Sequence, residues 1–538
     1  MLNLSKTSKI VLSHILMFLL LINLSYAKGA NMVGSVKSVV ASAKPAKKPV
    51  PPVNIKGKVI DRVTGETLIG VSVKVKNTSV GTVTDVDGNF TLATVPDNAV
   101  LVVSYIGYDT AEVPVEGRSS MTISLHAQAK SLNEVVVVGY GTQKKTSLTA
   151  AVSTINTSEI AKKPVVNLTN SLVGRASGLI ITQSSGEPGF DGSNIQIRGT
   201  GSIGGTQPLL IVDGVPRDFS RLDPNTVESI SVLKDAAAVA PYGVAGANGV
   251  ILITTKRGKI GKPSFTYNSY YAIQNPTKVP TFVGSYDYAL LRNEANANDG
   301  LPAAYTADDI QKFKDHSDPD GHSDGHPLQQ IIMRNRPITY NNVTLSGGAE
   351  NVKYFASLGY THQAGMWAPT YTDKYNGSIN VTANATKTTT VNLSVISDIE
   401  DNHFPSQSAG TIIGQAQRQA PTTPIYFSNG LWSGYIGQSL IGEIYHSGYQ
   451  FNEKPTTNAQ FSIDQKLPIK GLSIKGVVSF DNSTEVDRIW QTPIPFYNVD
   501  TTAMPYKYVS GIQGAQKSQF TENYYQTHSF TYQGFLTY

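Results

Sequence analysis

The chain has 538 residues, enough for several domains. It contains no cysteine, which excludes disulfides, thiolate metal sites and thiol catalysis. A net charge of +5 is small for this length and gives no support to nucleic-acid binding.

Residues 1–27 read as a secretory signal. Lys6 and Lys9 precede an apolar run from Ile10 to Leu24, and Ser25-Tyr26-Ala27 supplies small residues for cleavage. The run is broken by Ser13, His14 and Asn23 and falls short of the roughly 20 residues a spanning helix needs, so export is expected rather than a membrane anchor. Residues 28–54 form a Lys/Ala/Ser/Pro-rich tract ending in Lys47-Lys48-Pro49-Val50-Pro51-Pro52, the composition of a semi-extended linker.

From 55 to 127 the pattern changes to short strand-like runs: Lys58–Ile60, Val71–Val75, Phe90–Leu92, Val100–Val103 and Met121–Leu125. Asp87-Gly88-Asn89 is a tight-turn signal between two of them. The expectation is a small β-sandwich. Asp85 and Asp87 beside that turn read as turn residues rather than calcium ligands.

The segment 131–145 contains Glu134-Val135-Val136-Val137-Val138, whose valines favour extended backbone, followed by the polar Thr142-Gln143-Lys144-Lys145. Two readings fit these residues: a buried strand of a neighbouring domain, or a detachable strand that adds to a partner's sheet.

Residues 147–256 predict an α+β unit. Strands are expected at Thr149–Ile155, Leu179–Gln183, Ile195–Arg198, Leu209–Val212 and Val250–Thr255, with a helix near Val166–Gly174. A second short helix follows Asp235 as N-cap and stops at Pro241 and Gly243. Gly199-Thr200-Gly201-Ser202-Ile203-Gly204 matches a dinucleotide-binding glycine pattern, but Gly205 and Pro208 stand where the phosphate-binding helix should begin. A glycine-rich loop is the expectation, and no cofactor.

Four ordered blocks in this stretch resemble the plug-domain signature of SusC/RagA-type TonB-linked outer-membrane proteins. They are Ile195–Gly199, Pro208–Pro216, Ser229–Ala238 and Tyr242-Gly243 followed by Ala247–Lys256. The positions that carry the signature are Arg198, Gly199, Asp213, Gly214, Lys234, Asp235, Tyr242, Gly243, Asn248 and Gly249. Val239-Ala240-Pro241 and Val244-Ala245-Gly246 depart from the family, which usually has Ile before the Tyr-Gly pair and Arg soon after it. Residues 55–127 are similar to the family's carboxypeptidase-regulatory-like domain through Gly57-Lys58-Val59, Gly81–Phe90 and Ser104–Tyr108. The resemblance implies that Glu134 to Val138 is the TonB-binding segment, periplasmic like the sandwich.

From 260 to 538 the chain alternates as a transmembrane β-barrel does. Tyr375, Gly377, Ile379, Val381 and Ala383 share one face, while Asn376, Ser378, Asn380, Thr382 and Asn384 share the other. Similar dyads run through Val352–Tyr360, Val391–Val395, Leu472–Phe480 and Phe530–Tyr538. Long interludes at Pro276–Pro337 and Asp401–Pro455 suit extracellular loops. The first holds Asp315, His316, Asp318, Asp320, His322, Asp324 and His326, whose spacing fits no EF-hand or zinc-helix motif and reads as a solvated loop. About eight strand-length runs are present, whereas a plugged lumen needs about 22 strands. The sequence is therefore expected to be an N-terminal part of a longer chain.

The fold expected is mainly β: an Ig-like, carboxypeptidase-regulatory-like sandwich, an α+β plug and part of an antiparallel transmembrane barrel. The resemblance implies import of a glycan or peptide across the outer membrane, driven by TonB, beside a SusD-type lipoprotein and within outer-membrane lipid. No Gly-x-Ser-x-Gly elbow or His-Glu-x-x-His site is present, so an enzyme is not expected. The rival expectation is a non-transporting surface adhesin or glycan-binding β-protein.

Overall fold

The computed structural model describes residues 53–538 except 63, 79, 106–107, 127–134, 139–140, 145–151, 201–204, 368 and 515. The signal and almost all of the linker lie outside the described residues, as does Glu134. The chain divides into two compact units, an N-terminal one reaching to about residue 135 and a second holding nearly all the rest.

The N-terminal unit is a sandwich of seven strands: β1 (Val53–Asp61), β2 (Ser72–Val75), β3 (Gly81–Val83), β4 (Asn89–Val95), β5 (Val100–Ser104), β6 (Ala111–Pro114) and β7 (Ser120–Leu125). One sheet runs β4-β1-β7, the other β3-β2-β5-β6. β1 begins at Val53, two residues inside the expected linker. Alternation buries Val71, Val73, Val75, Phe90, Leu92, Leu101, Val103, Ile123 and Leu125 between the sheets, as period-2 strands with one inner face must. The Asp87-Gly88 turn does not close a hairpin, because β3 and β4 belong to different sheets. Asp85 shapes the crossing by accepting the N–H groups of Asp87 (3.0 Å) and Asn89 (2.8 Å).

Between sandwich and plug, β8 (Val135–Val138) pairs with β9 (Gly141–Lys144) in a two-stranded sheet of their own. Such a ribbon is marginally stable without further support.

The plug sheet has the order β10-β15-β16-β13-β14, from β10 (Val152–Ile155), β13 (Leu209–Val212), β14 (Val215–Pro216), β15 (Val227–Leu233) and β16 (Val250–Thr255). β11 (Leu179–Gln183) and β12 (Ser193–Ile197) form a separate antiparallel pair. The strand β15 was not expected, since its Glu228, Ser229 and Ser231 blur the apolar run. Yet it lies next to the centre of the sheet, with Ile230, Val232 and Leu233 fully buried. The helix expected near Val166–Gly174 is a single turn, α1 being Thr157–Ile160 and α2 Leu168–Ser171. Asn167 caps α2 by accepting from Thr169 N (3.0 Å), and Gly174 at φ +75° follows closely.

The last section is an eight-stranded antiparallel sheet, ordered β17-β18-β19-β20-β21-β22-β23-β26. Its strands are β17 (Gly261–Gln274), β18 (Arg336–Gly348), β19 (Val352–Ala364), β20 (Tyr371–Asn384), β21 (Thr389–Phe404), β22 (Gly448–Lys466), β23 (Ser473–Gln491) and β26 (Gln519–Thr537). Register fixes the faces: Asn268, Asn342, Gly359, Asn376, Asp398, Thr456 and Ser483 lie opposite one another around the inner face. The outer face carries the expected apolar parity, with Phe265, Tyr267, Phe461, Ile463, Val478, Phe480, Phe530 and Tyr532 exposed. The connections at one end are short, at 349–351, 385–388 and 467–472. Those at the other end include three long ones. The first interlude, 275–335, falls within two residues of the expected bounds, whereas the second is narrower, 405–447, because β21 and β22 extend past their alternating stretches through Asp401-Asn402 and Asn452–Lys454. A third long loop holds the hairpin β24 (Ile494–Asp500) and β25 (Lys507–Gln513).

Candidate functional site

The signature residues build the plug itself. Asp213 (φ +50°) and Gly214 (φ +86°) form a two-residue turn joining β13 to β14, with the paired positive φ of type I′. Asp213 also accepts the Thr255 N–H (3.0 Å) and hydroxyl (2.6 Å), tying the turn to the end of β16. Tyr242 is buried with Leu233, Val239 and Val250, and Gly243 takes φ +57° beside it. Asn248 donates to the Gly205 carbonyl (3.0 Å), holding one end of the glycine-rich loop whose residues 201–204 lie outside the described ones. Gly249 (φ +91°) would bring a Cβ within 2.7 Å of Ile197.

Arg198, Gly199, Lys234 and Asp235 are brought to one corner. Asp235 stands at the N-cap of α3 (Ala236–Val239), as expected, but its side chain makes no capping bond. Its carboxylate meets the Arg198 guanidinium at 2.5 Å instead, a charge partner outcompeting a backbone N–H. Arg198 has φ +59°, Gly199 +89°, and the Arg198 N–H donates to Gly178 O at 2.7 Å. The Lys234 ammonium donates to Ser153 Oγ (2.5 Å), to Ser177 Oγ (3.1 Å) and to the Ser177 carbonyl.

The residues that seat the plug in the wall are different ones, and the sequence reading did not single them out. They follow the Asp213-Gly214 turn. Arg217, its side chain 4 % exposed, pairs with Asp481 at 2.7 Å and donates to Gln460 (3.2 Å) and Ser479. Arg221 reaches Asp398 (3.3 Å), the Lys454 carbonyl (3.1 Å) and Thr456 (3.0 Å). Asp223 accepts from Tyr340 (2.8 Å), Asn342 (2.9 Å) and its own neighbour Asn225 N (2.8 Å). Burial pushes the Asp223 carboxyl up, against the hydrogen bonds from Asn225, Tyr340 and Asn342.

All eight wall strands share in this seat. Asn268 of β17 donates to Asn225, and a Cβ at Gly359 of β19 would sit 2.6 Å from Asp223. Lys374 of β20 donates to the Val166 carbonyl (3.0 Å), while Gln460 of β22 and Gln533 of β26 donate to the Asp213 and Gly214 carbonyls (3.1 and 3.0 Å). A surface so rich in polar partners holds the plug largely by replaceable hydrogen bonds, with Ile396 of β21 adding a wall residue to the plug's apolar cluster.

The first two long loops share a core, formed by Leu328 and Ile331 with Ile412, Ile425, Leu440, Ile441 and Ile444, and Trp367 of the short connection 365–370 packs into it. Helices α4 (Ser285–Asn298), α5 (Ala307–Asp315) and α6 (Pro327–Ile331) lie in the first loop, and α7 (Ala409–Arg418) in the second. The Asp/His cluster is used as structural glue. His322 sits between Asp318 (2.7 Å) and Asp309 (2.8 Å), and Asp318 also accepts from Tyr506 (2.7 Å). Asp320 joins Ser428 N (2.7 Å) to Tyr508 (2.5 Å), linking all three long loops. Asp324 accepts from Ser285 N, and Asp315 from Ser317 N. Partial burial acts to raise the Asp309 carboxyl, but hydrogen bonds from Thr306 and His322 prevail and hold it at about 2.

Comparison with known proteins places these features. Residues 55–137 match the CarboxypepD_reg-like domain, and residues 144–250 match the TonB-dependent Receptor Plug Domain. A TonB-dependent receptor of Formosa agariphila is 32% identical over 436 residues, covering 78% of this chain and 42% of that one. The TonB-dependent receptor SusC of Bacteroides thetaiotaomicron is 32% identical over 399 residues, covering 71% and 38%. The solved structure of the RagAB peptide importer in its open-open state shares the fold, with a TM-score of 0.55 and 24% identity over 67% of this chain and 43% of that one. This chain spans less than half the length of these relatives.

Proposed function

Because the chain belongs to the SusC/RagA-type TonB-dependent receptors, we propose that it carries the gate and part of the wall of an outer-membrane importer. In this reading the exposed apolar outer face meets outer-membrane lipid. The long loops face outward toward nutrient and a SusD-type lipoprotein, and the sandwich lies in the periplasm after removal of the signal 1–27. Glu134 to Val138 is the segment that TonB grips. The cargo is of the glycan or peptide class.

The observation that carries the proposal is the contrast between two attachments. The plug is seated through Arg217, Arg221 and Asp223 in a polar wall face, by bonds that exchange readily for water. Upstream, Val135–Val138 pairs with nothing but Gly141–Lys144 among the described residues. A marginal ribbon offers a strand to a partner sheet at low cost. A seat made of polar contacts yields without exposing a hydrophobic core to the lumen.

Val136→Pro tests it, since proline removes one N–H and disfavours strand pairing. Loss of TonB pull-down and of nutrient uptake, with surface binding of the nutrient retained, is the expected result. Unchanged pull-down and uptake would refute the assignment. Surface binding with no uptake even in the unmodified chain would favour the adhesin reading instead.

A further inference from the structure

The plug sheet has a weak side. Among the described residues β10 is its edge strand, pairs on one side only, and contributes four residues to the ladder, from Val152 opposite Leu233 to Ile155 opposite Ile230. It is also the first plug strand after Val135–Val138 in the chain. A pull arriving from that segment therefore meets β10 before any other described strand of the sheet, and Val152 before the other described residues of β10.

At that point stands Lys234. It follows Leu233, the partner of Val152, so its ammonium lies at the end of the ladder where load would enter. The three donors of an ammonium group are matched by three acceptors: Ser153 Oγ on β10, Ser177 Oγ and the Ser177 carbonyl. Next to it, Arg198 bonds Asp235 through its side chain and Gly178 through its N–H. One corner thus ties β10 and residues 177–178 to the end of β15, its neighbour in the sheet. The ammonium is held there against opposition, because burial and then the like charge of Arg198 push its pKa down. A further side-chain tie from this part of the chain to β15 runs from the Thr157 hydroxyl to the Glu228 carbonyl (3.1 Å).

We infer that Lys234 is the catch of the gate: its bonds to Ser153 and Ser177 set the load at which β10 leaves the plug sheet. This is a positioning role. The inference rests on the reading that force enters through Glu134 to Val138, but its test separates the two.

The absence of cysteine makes a clean reporter available. Ile155→Cys puts a lone thiol on β10 at a position 5 % exposed, where maleimide reaches it only after β10 detaches. The labelling rate is measured in cells with and without TonB, in otherwise unchanged chain, in Lys234→Met and in Ser153→Ala. Lys234→Met should label on the order of tenfold faster in both cell types, as loss of charge-assisted bonds implies. Ser153→Ala, which spares the lysine and the fold, should shift the rate the same way by a smaller factor. Both variants labelling at the unchanged rate would overturn the catch. Faster labelling of both variants in cells without TonB, to which TonB adds nothing, would uphold the catch and refute the pulled-segment reading.

Discussion

The Arg217–Asp481 pair gives the sharpest test of how the plug is seated. Arg217→Met keeps the apolar stem and removes the guanidinium, leaving Asp481, 16 % exposed, without its cation. Removing one partner of a buried pair costs about 3–5 kcal/mol because the other charge is left uncompensated. The lower figure, about 3 kcal/mol, applies here because Ser479 still donates to Asp481 (3.1 Å). At 1.4 kcal/mol per factor of ten, that is on the order of a hundredfold. Hydrogen exchange of the Val215–Leu222 amides in purified protein reads it directly: Arg217→Met should exchange roughly a hundredfold faster. Asp481→Asn should act in the same direction. The double variant strands neither charge and should fall well short of the product of the single effects. Exchange within about threefold of the unmodified chain in Arg217→Met, or multiplicative effects in the double variant, would refute a seat built on this pair.

Two further outcomes are expected. Gly189→Ala places a Cβ 2.1 Å from Asn402 Oδ1 at a residue with φ +76°. The plug loop around it should withdraw from the wall, raising sensitivity to a large antibiotic that an intact outer membrane excludes; unaltered resistance would show that the close approach does not seal the lumen. Glu443, fully buried in the second loop, has its carboxyl pushed up by burial despite the hydrogen bond from Gln513 and the charge of Arg418. A raised acid contributes stability that is present below its unfolded pKa and is lost as pH rises through its folded value. Glu443→Gln should therefore raise Tm at pH 8 and lose that advantage at pH 4, and an equal change at both pH values would contradict burial as the cause.

The wall was legible because it obeys a simple rule: a strand in lipid on one side and a wet lumen on the other must alternate, and Tyr375 to Asn384 does so without interruption. Where the strands leave the apolar layer the rule lapses, so Asp401-Asn402 and Asn452–Lys454 look like loop although they continue β21 and β22. In the plug, β15 was hidden because its sheet neighbours satisfy polar positions that a soluble edge strand would give to water; Ser231 is 2 % exposed. The seat was illegible for a more basic reason. Arg217 and Asp481 lie 264 positions apart, and Asp223 and Tyr340 lie 117 apart. Nothing local marks an arginine as bound for a partner that distant. The signature positions were visible through the family resemblance, but what they do was not. Asp235 pairs with Arg198 instead of capping a helix, and Lys234 works across to Ser153.

The bonding among the three long loops has an engineering consequence. Apolar residues of the first two pack with one another and with Trp367, apart from the plug's own cluster, and Asp320 of the first bonds residues of both others. Exchanging one loop for that of another receptor would orphan hydrogen bonds in the remaining two. Moving 275–335, 405–447 and 492–518 together with the short connection 365–370 as one cassette keeps those contacts internal and leaves the alternating wall to fold by its own period of two. The long loops of such a chain are transplantable together, and not singly.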